Sequence, residues 1–288
     1  MFAIAGVSGH TGKVAAETLL GENKPVRVIV RSAAKGEEWK RRGAEVAVAE
    51  LDDVDTLTRA LRGAAGAYLL LPPQMASTDA RGDNAKRTRT YVKAIDASGV
   101  GHVVFLSSIG AQHASGTGPI LSIYDAEVAL GACRANVTFL RAAYFLENWG
   151  GSLYALGQGA LPTFLTAGRA IPMVATEDIG KSVARLLVEG GKGHSIVELS
   201  GPRDYSPIDI AAALTHLTGK TVTAQEGPEA AIVPALTGTG MNAHWAGLYQ
   251  AMIHGVNTGH VDFERGTTRA LRGTTGAETV LKALLGGR

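Results

Sequence analysis

Three glycines near the start of the chain have the spacing of a dinucleotide-binding loop. Gly6, Gly9 and Gly12 form a G-x-x-G-x-x-G pattern between an apolar run and a segment with helical periodicity. Glycine suits this place because the chain must turn sharply and let a pyrophosphate approach the backbone at a helix N-terminus. The pattern predicts a cofactor loop; the alternative is a tight strand-to-helix turn without a ligand. Three polar residues add side chains to the loop: Ser8, His10 and Thr11.

The residue after the second apolar run indicates which dinucleotide this loop would bind. The run Val26–Val30 ends at Arg31, with Lys35 close behind. Sites that prefer NAD(H) place a carboxylate at this point, where it hydrogen-bonds the ribose 2′-hydroxyl. A carboxylate would repel a 2′-phosphate, whereas a guanidinium binds it through paired, charge-assisted hydrogen bonds. Arg31 therefore favours NADP(H); the alternative is a solvated basic residue at a strand end.

A serine and a tyrosine are the candidate catalytic residues. Tyr124 follows Ser108 at a plausible distance for a dehydrogenase pair, but Val128 stands where a lysine usually follows the tyrosine. That lysine lowers the pKa of the tyrosine, and a phenol without it, near a pKa of about 10, is a poor general base. It remains a hydrogen-bond donor, so acceptor reduction stays open while alcohol oxidation is in doubt. Tyr124 either contacts substrate or cofactor, or is a half-buried helix aromatic.

The elements that must position these residues alternate between short apolar runs and helical patterns. Six runs read as strands: Phe2–Ala5, Val26–Val30, Glu45–Val48, Ala67–Leu71, His102–Leu106 and Val137–Leu140. Such runs, separated by amphipathic helices, indicate a parallel sheet that is buried on both faces. Because the crossovers are right-handed, we predict an α/β fold with a Rossmann-type doubly wound parallel sheet.

The pattern loosens after Arg141. We predict a helix over Thr176–Glu189, a strand over Ile196–Leu199 and a helix over Pro207–Leu217, with a mostly helical end from Pro228. We therefore divide the chain into a Rossmann domain (residues 1–150) and a smaller, mostly helical substrate region (residues 151–288). Some strands and helices of the second range are expected to complete the sheet.

Composition excludes several classes of protein. A net charge of +2, with 45% hydrophobic and 19% charged residues, gives no reason to expect nucleic-acid or membrane binding. The single cysteine, Cys133, lies in an apolar helical run and reads as a core residue, which fits a reducing cytoplasm. The start of the chain does not read as a signal peptide. His244, His254 and His260 lack metal-ligand spacing, so we expect no metal.

Several segments together resemble a known family. They are Val28-Ile29-Val30-Arg31, Glu50-Leu51-Asp52-Asp53, Phe105-Leu106-Ser107-Ser108 and Phe145-Leu146-Glu147-Asn148. With the glycine loop they resemble the NmrA-like branch of the atypical short-chain dehydrogenases. Within that branch the chain is most similar to NADPH-dependent quinone, triphenylmethane-dye and azo-dye reductases, rather than to the NmrA-type regulators.

The resemblance implies a set of cofactor contacts. The glycine loop, with Ser8, His10 and Thr11, would hold the pyrophosphate, and Arg31, with Lys35 beside it, the 2′-phosphate. The remaining contacts follow later strands: Leu51 and Asp52 against the adenine, Leu71, Pro72 and Pro73 toward the ribose and nicotinamide, and Ser107 and Ser108 beside the nicotinamide.

The resemblance also implies an acceptor site and a reaction. Tyr144, Phe145 and Asn148 would shape the substrate pocket, although Phe145 and Trp149 read equally well as core. Trp245 and Tyr249 share a helix face and either stack on a flat substrate or pack the C-terminal cap. The implied reaction is hydride transfer from NADPH to a flat aromatic acceptor, without flavin, by a monomer or homodimer. The alternatives are an NADP(H)-sensing regulator without turnover and an isoflavone-reductase-like enzyme, which usually keeps the missing lysine.

Overall fold

The structure, a computed structural model, describes residues 1–287. Within them the strands are β1 (Phe2–Ile4), β2 (Val26–Val30), β3 (Glu45–Val48), β4 (Gly66–Leu69), β5 (His102–Ser108), β6 (Asn136–Ala142), β7 (Tyr144–Phe145), β8 (Ala160–Thr163), β9 (Ile171–Val174), β10 (His194–Ser200), β11 (Asp204–Tyr205), β12 (Thr223–Glu226) and β13 (Arg269–Arg272). The α-helices are α1 (His10–Gly21), α2 (Glu37–Arg41), α3 (Val54–Leu61), α4 (Ala80–Ser98), α5 (Leu121–Leu130), α6 (Thr176–Glu189), α7 (Pro207–Thr218), α8 (Ile232–Gly238), α9 (Ala243–Thr258) and α10 (Ala277–Gly286).

Eight strands form one parallel sheet in the order β13-β10-β6-β5-β4-β1-β2-β3. Helices α1 and α6 pack together on one face, and α3, α4 and α5 pack side by side on the other. The strand order reverses at β1, which places a crevice at the carboxyl ends of the central strands. The doubly wound Rossmann-type fold predicted from the alternating pattern is therefore confirmed.

The central strands are apolar throughout because both faces of the sheet are covered. Tyr68 of β4 and Phe105 of β5 are completely buried on opposite faces, among different groups of core side chains. Cys133 is buried as a free thiol in the core beneath α4 and α5, which confirms its predicted structural role. This rigid layer fixes the loops that follow β1 to β6, and those loops carry most of the candidate site residues.

The second half of the chain has its own apolar core but shares the main sheet. Two small sheets, β11-β9-β7 and β12-β8, pack with α7 and α10 around Trp149, which is core. Residues Leu146–Gln158 form a 3₁₀ helix, in the stretch after Arg141 where the sequence pattern loosens. Strands β10 and β13 add to the edge of the main sheet. The division at residue 150 stays a prediction.

The edge strand β13 lies in a stretch that we predicted as mostly helical. Its sequence, Arg269–Arg272, is largely exposed and has no apolar run, so it gives no strand signal. Exposed charged residues are typical of edge strands, where they discourage pairing with other chains. Two side-chain contacts hold this segment against its neighbours. Arg269 pairs with Glu189 of α6 at 2.7 Å, and the Thr268 hydroxyl donates to Glu198 of β10 at 2.7 Å.

Candidate cofactor and acceptor site

The glycine loop after β1 has a backbone that only glycine can follow. Gly6 has a φ of +69°, in the left-handed region, and a Cβ at Gly12 would lie 2.5 Å from the carbonyl oxygens of Ala5 and Gly6. Helix α1 begins directly after Gly9, which offers no side-chain cap. The first backbone N–H groups of α1 therefore remain free to donate to an anion at the positive end of the helix.

A cavity of about 380 Å³ opens next to this loop, at the carboxyl ends of β1 to β4. Eight of the predicted cofactor residues line it: Gly6, Ser8, Arg31, Lys35, Leu51, Asp52, Pro72 and Pro73. Arg31 and Lys35 are exposed and supply positive charge at one wall, and Ile29 and Trp39 contribute apolar surface. The cavity thus combines a glycine loop, a basic wall and a few apolar side chains.

The other predicted cofactor residues do not line this cavity. Thr11 is buried, and its hydroxyl lies 2.8 Å from the hydroxyl of Tyr68, whose pKa is raised by complete burial. His10 lies in a separate open groove between α1 and α6. Leu71 is partly buried against the core. Gly9 and Gly12 belong to the turn between β1 and α1, where they lie close to the backbone of Gly6.

Arg87 of α4 lines the cavity and was missed by the sequence analysis. Its Nε donates to Asp52 Oδ1 at 2.7 Å and its Nη2 donates to Oδ2 at 2.6 Å. The guanidinium is buried, and its Nη1 has no hydrogen-bond partner among residues 1–287. One signal could have found it. Arg87 falls in the buried stripe of α4, between Asn84 and Tyr91, where an arginine is rarely buried without a partner.

Ser107 is tied into a buried charged network at the end of β5. Its hydroxyl donates to Glu127 of α5 at 2.5 Å. The buried Arg141 of β6 grips both oxygens of the same carboxylate, at 2.9 and 2.6 Å, and its Nη1 donates to Glu264 at 2.6 Å. The network therefore fixes the ends of two sheet strands to α5 and to the C-terminal segment. Because Ser107 donates its proton to Glu127, its oxygen is left to act as an acceptor.

The two candidate catalytic residues are not hydrogen-bonded to each other. Ser108 donates to the carbonyl oxygen of Ile109 at 3.0 Å. Tyr124 is half-buried on α5, one turn before Glu127, with the guanidinium of Arg81 as a nearby charge. Val128, in the position of the usual lysine, is 62% exposed. Both catalytic assignments stay predictions.

Two of the predicted substrate residues lie together. Burial raises the pKa of Tyr144 to about 12, the neighbouring Tyr249 hydroxyl adds to the effect, and a hydrogen bond with Asn148 opposes it. Phe145 is partly buried against the sheet core. Tyr144 and Asn148 therefore form a polar pair, with Tyr249 of α9 near Tyr144.

Trp245, the fourth predicted substrate residue, packs rather than facing solvent. It is buried, and its indole Nε1 donates to the carbonyl oxygen of Gln74 at 2.8 Å. The amide of Asn242, the N-cap of α9, donates to the carbonyl oxygens of Met75 and Ser77 at 2.7 and 3.2 Å. The start of α9 thus anchors the loop that follows Pro73 at the rim of the cavity.

Two classes of site find no support in the described part of the chain. Between residues 1 and 287 no helix is both long and apolar enough to cross a membrane. The same residues contain no group of three or more histidine, cysteine, aspartate or glutamate side chains placed to hold a metal ion.

Residues 1–259 match the NmrA-like family, so the chain belongs to that family, and the resemblance inferred from its motifs is confirmed. Quinone oxidoreductase 2 of Escherichia coli is 28% identical over 243 residues, which cover 84% of this chain and 82% of that protein. The NAD(P)H azoreductase of Xenophilus azovorans is 26% identical over 241 residues, or 82% and 81% of the two chains.

Solved structures give the same fold over the whole chain. The crystal structure of the E. coli quinone oxidoreductase in complex with NADPH superposes with a TM-score of 0.84 at 27% identity, covering 99% of this chain and 100% of that one. Triphenylmethane reductase of Citrobacter has a TM-score of 0.83 at 19% identity, with 99% of each chain covered, and supports the fold alone.

Proposed function

We propose that this protein is an NADPH-dependent reductase that transfers hydride, without flavin, to a flat aromatic acceptor such as a quinone, an azo dye or a triphenylmethane dye. The observation that carries this proposal is the cavity in which the glycine loop lies beside the basic wall of Arg31 and Lys35. The names of two relatives, a quinone oxidoreductase and an azoreductase, support the reductase class and the kind of acceptor.

The residues present fit NADP(H). The turn at Gly12 has no room for a Cβ, the first turn of α1 has free N–H groups for the pyrophosphate, and Arg31 supplies positive charge at the cavity wall for a 2′-phosphate. Leu51 and Asp52 would hold the adenine, and Pro72 and Pro73 the ribose side. When bound, the nicotinamide supplies the hydride.

The chain's own part in the reaction is to hold the acceptor against the cofactor and to provide a proton. Fixed contact between two reactants removes much of the entropic barrier to their reaction. In this proposal Tyr144, Phe145, Asn148 and Trp245 border the acceptor. Tyr124 acts as a donor beside it, and Ser108 does so once its hydroxyl leaves the carbonyl oxygen of Ile109; water can replace the Tyr124 hydroxyl. A cytoplasmic location and a monomeric or homodimeric state stay predictions.

The test of reduction is NADPH oxidation by purified, flavin-free protein, followed by nicotinamide absorbance with each of the three classes of acceptor. Turnover with at least one class is expected. Absence of turnover with every acceptor would contradict the reductase assignment.

The test of cofactor choice is the affinity of Arg31→Ala for NADPH and NADH. Loss of a paired charge-assisted contact should weaken NADPH binding by about 10- to 100-fold and leave NADH binding nearly unchanged. Arg41→Ala is the matched control, because Arg41 is an exposed arginine of α2 outside the cavity. An equal effect of Arg31→Ala on both dinucleotides would contradict the assignment of the 2′-phosphate.

The second candidate is a regulator that binds NADP(H) without turning it over. One observation favours it, namely that exposed Val128 leaves Tyr124 without the lysine that would activate it. Tight NADPH binding combined with no turnover would select this function over the reductase.

A further inference from the structure

The loop after β5 meets the segment after α9 through two stacked histidines. The loop comprises residues 109–120, between Ser108 and α5, and the segment comprises residues 259–268. The imidazole rings of His113 and His260 have their centroids 4.1 Å apart and their planes 29° apart. Two rings this close repel each other when both are positively charged. The contact between the loop and the segment therefore depends on the protonation of these rings.

The hydrogen-bond partners of the two rings determine where their protons lie. His260 Nε2 is 2.9 Å from the carbonyl oxygen of Ser115, so this nitrogen carries a proton and donates it. Gln112 Nε2 is 3.2 Å from His113 Nε2. Because an amide nitrogen donates and does not accept, His113 Nε2 is the acceptor and carries no proton. His113 is therefore neutral in this arrangement.

Gln112 cannot adapt to a protonated His113 by turning its side-chain amide. The same Gln112 Nε2 donates to the carbonyl oxygen of Asp262 at 2.8 Å. A turned amide would accept a proton from His113, but it would place its own oxygen against the carbonyl oxygen of Asp262. Protonation of His113 thus breaks one of the two hydrogen bonds of Gln112, whichever way the amide lies.

The surroundings of His113 favour its neutral form. Burial, the neighbouring His260 and the Arg141 guanidinium lower the pKa of His113, while the backbone of His260 and the Glu264 carboxylate oppose this shift. The Arg169 guanidinium adds a further positive charge at the start of the segment. A lowered histidine pKa stabilises the folded contact above the ordinary value of 6.5, and this contribution is lost as the pH falls below it.

The base of the loop is held by a contact that does not titrate. Gly110 has a φ of +82°, and a Cβ there would lie 3.0 Å from the side chain of Val261, which is buried. This apolar contact is the same at every pH. Loss of the histidine contact would therefore free the outer part of the loop, residues 112–116, while its base stays attached.

We propose that the histidine contact is a pH-sensitive latch, which holds the outer loop against the segment after α9 when His113 is neutral and releases it when His113 is protonated. The loop joins Ser108 to the helix that carries Tyr124, and the segment carries Glu264, the partner of Arg141. Release of the latch should therefore loosen the acceptor side. This last consequence rests on the proposed function, whereas the latch itself does not.

The experiment is amide hydrogen exchange of the free protein, followed by mass spectrometry between about pH 8 and about pH 5 and corrected for the intrinsic pH dependence of exchange. In the wild type, protection of the outer loop and of the segment should fall by about three- to tenfold as the pH drops below 6.5, which is the usual worth of one hydrogen bond. Protection of the buried amides of β5 should stay constant.

His113→Phe keeps a flat ring against His260 but cannot take up a proton, so the pH-dependent loss of protection should disappear. His113→Gln also removes the titrating group and still offers Gln112 an acceptor, so it tests the same point even if His113→Phe does not fold. His216→Phe is the matched control. His216 is an exposed histidine of α7, 3.3 Å from Glu278, and its variant should keep the wild-type response.

The outcomes separate the latch from the proposed function. Wild-type protection that does not change with pH, or that changes equally in a folded His113→Phe or His113→Gln variant, overturns the latch. Hydrogen exchange needs neither cofactor nor acceptor, so an absence of turnover overturns the reductase assignment and leaves the latch standing. If turnover is present, the KM for a quinone should rise below pH 6.5 in the wild type and not in His113→Phe. A KM that rises equally in both would overturn the link to the acceptor side.

Discussion

The two sides of the crevice are built differently. On the proposed cofactor side, the loops after β1 to β4 bring eight predicted residues to one cavity. On the proposed acceptor side, Tyr124, Trp245 and the Tyr144–Asn148 pair lie apart on α5, α9 and the chain after β6. A cofactor side of this kind depends on backbone shape and short motifs. The acceptor side depends on contacts between segments far apart in the chain.

The acceptor side is held by charge rather than by backbone shape. Arg141 joins Glu127, fourteen residues away in sequence, to Glu264, 123 residues away. Arg141 is buried and the Glu127 side chain is only 10% exposed, so each of the two charges depends on the other, whereas the Glu264 side chain is 40% exposed. Substitutions on each side test this difference.

The largest effect is expected from Arg141→Met. Removing the cation leaves Glu127 buried without its partner, which should lower the free energy of unfolding by about 3–5 kcal/mol. Urea denaturation measures it. The control is Lys181→Met, which breaks the exposed Lys181–Glu177 pair and should change stability by less than about 0.5 kcal/mol. A loss below about 1 kcal/mol for Arg141→Met would show that charge does not hold the acceptor side.

Gly12→Ala tests the cofactor side. Its Cβ would meet two backbone oxygens at 2.5 Å, so the loop must shift, at a cost of about 1–3 kcal/mol in stability and with loss of NADPH binding. Gly21→Ala is the matched control, because Gly21 ends the same helix with open space around it. It should be neutral or stabilising by up to about 1 kcal/mol. Equal behaviour of the two variants would contradict the steric explanation.

Tyr124→Phe tests the proposed acceptor side, with a smaller expected effect, on kcat rather than on stability. Without a lysine the hydroxyl acts only as a donor that water can replace, so kcat should fall by less than about tenfold with unchanged NADPH affinity. Steady-state kinetics with a quinone measure this, and Tyr154→Phe, at a 75% exposed tyrosine, serves as control. A drop of about a hundredfold or more would instead make Tyr124 an essential proton donor.

The smallest effect concerns the sheet edge beyond the acceptor side. Hydrogen bonds from Arg269 and Arg185 lower the pKa of Glu189 from 4.5 to about 2. A lowered pKa in the folded state stabilises above the ordinary value, and this contribution is lost as the pH falls from about 4.5 toward 2. The melting temperature of Glu189→Gln should therefore lie below that of the wild type at neutral pH and converge with it in acid.

Because Glu189 is partly exposed, the variant and the wild type should differ in free energy of unfolding by less than about 1 kcal/mol at neutral pH. A gap between the two melting curves that is independent of pH would remove the ionic explanation for the anchoring of β13.

The sequence predicted what local patterns determine. The glycine loop and the apolar strands have short-range causes, namely steric limits in one turn and burial on two faces, and both appear as expected. Arg31 could be placed because it follows β2 directly, and Lys35 lies four residues further along the chain.

The features that the sequence did not reveal are contacts between residues that lie far apart along the chain. Arg87 is 35 residues from Asp52, and no local pattern links them. Strand β13 has no apolar run and exists because β10 offers it an edge. The partner of Arg141 in the C-terminal segment, Glu264, is an ordinary solvated acid when read from the sequence alone.

The anchoring of the rim loop by α9 has a consequence for how this protein can diversify. Trp245 and Asn242 bind the carbonyl oxygens of Gln74, Met75 and Ser77, not their side chains. Any residue with a compatible backbone provides the same carbonyl, so the identity of Met75, 40% exposed at the rim, is under little constraint from the anchor. The rim of this cavity can thus accumulate side-chain substitutions while the path of its backbone stays fixed.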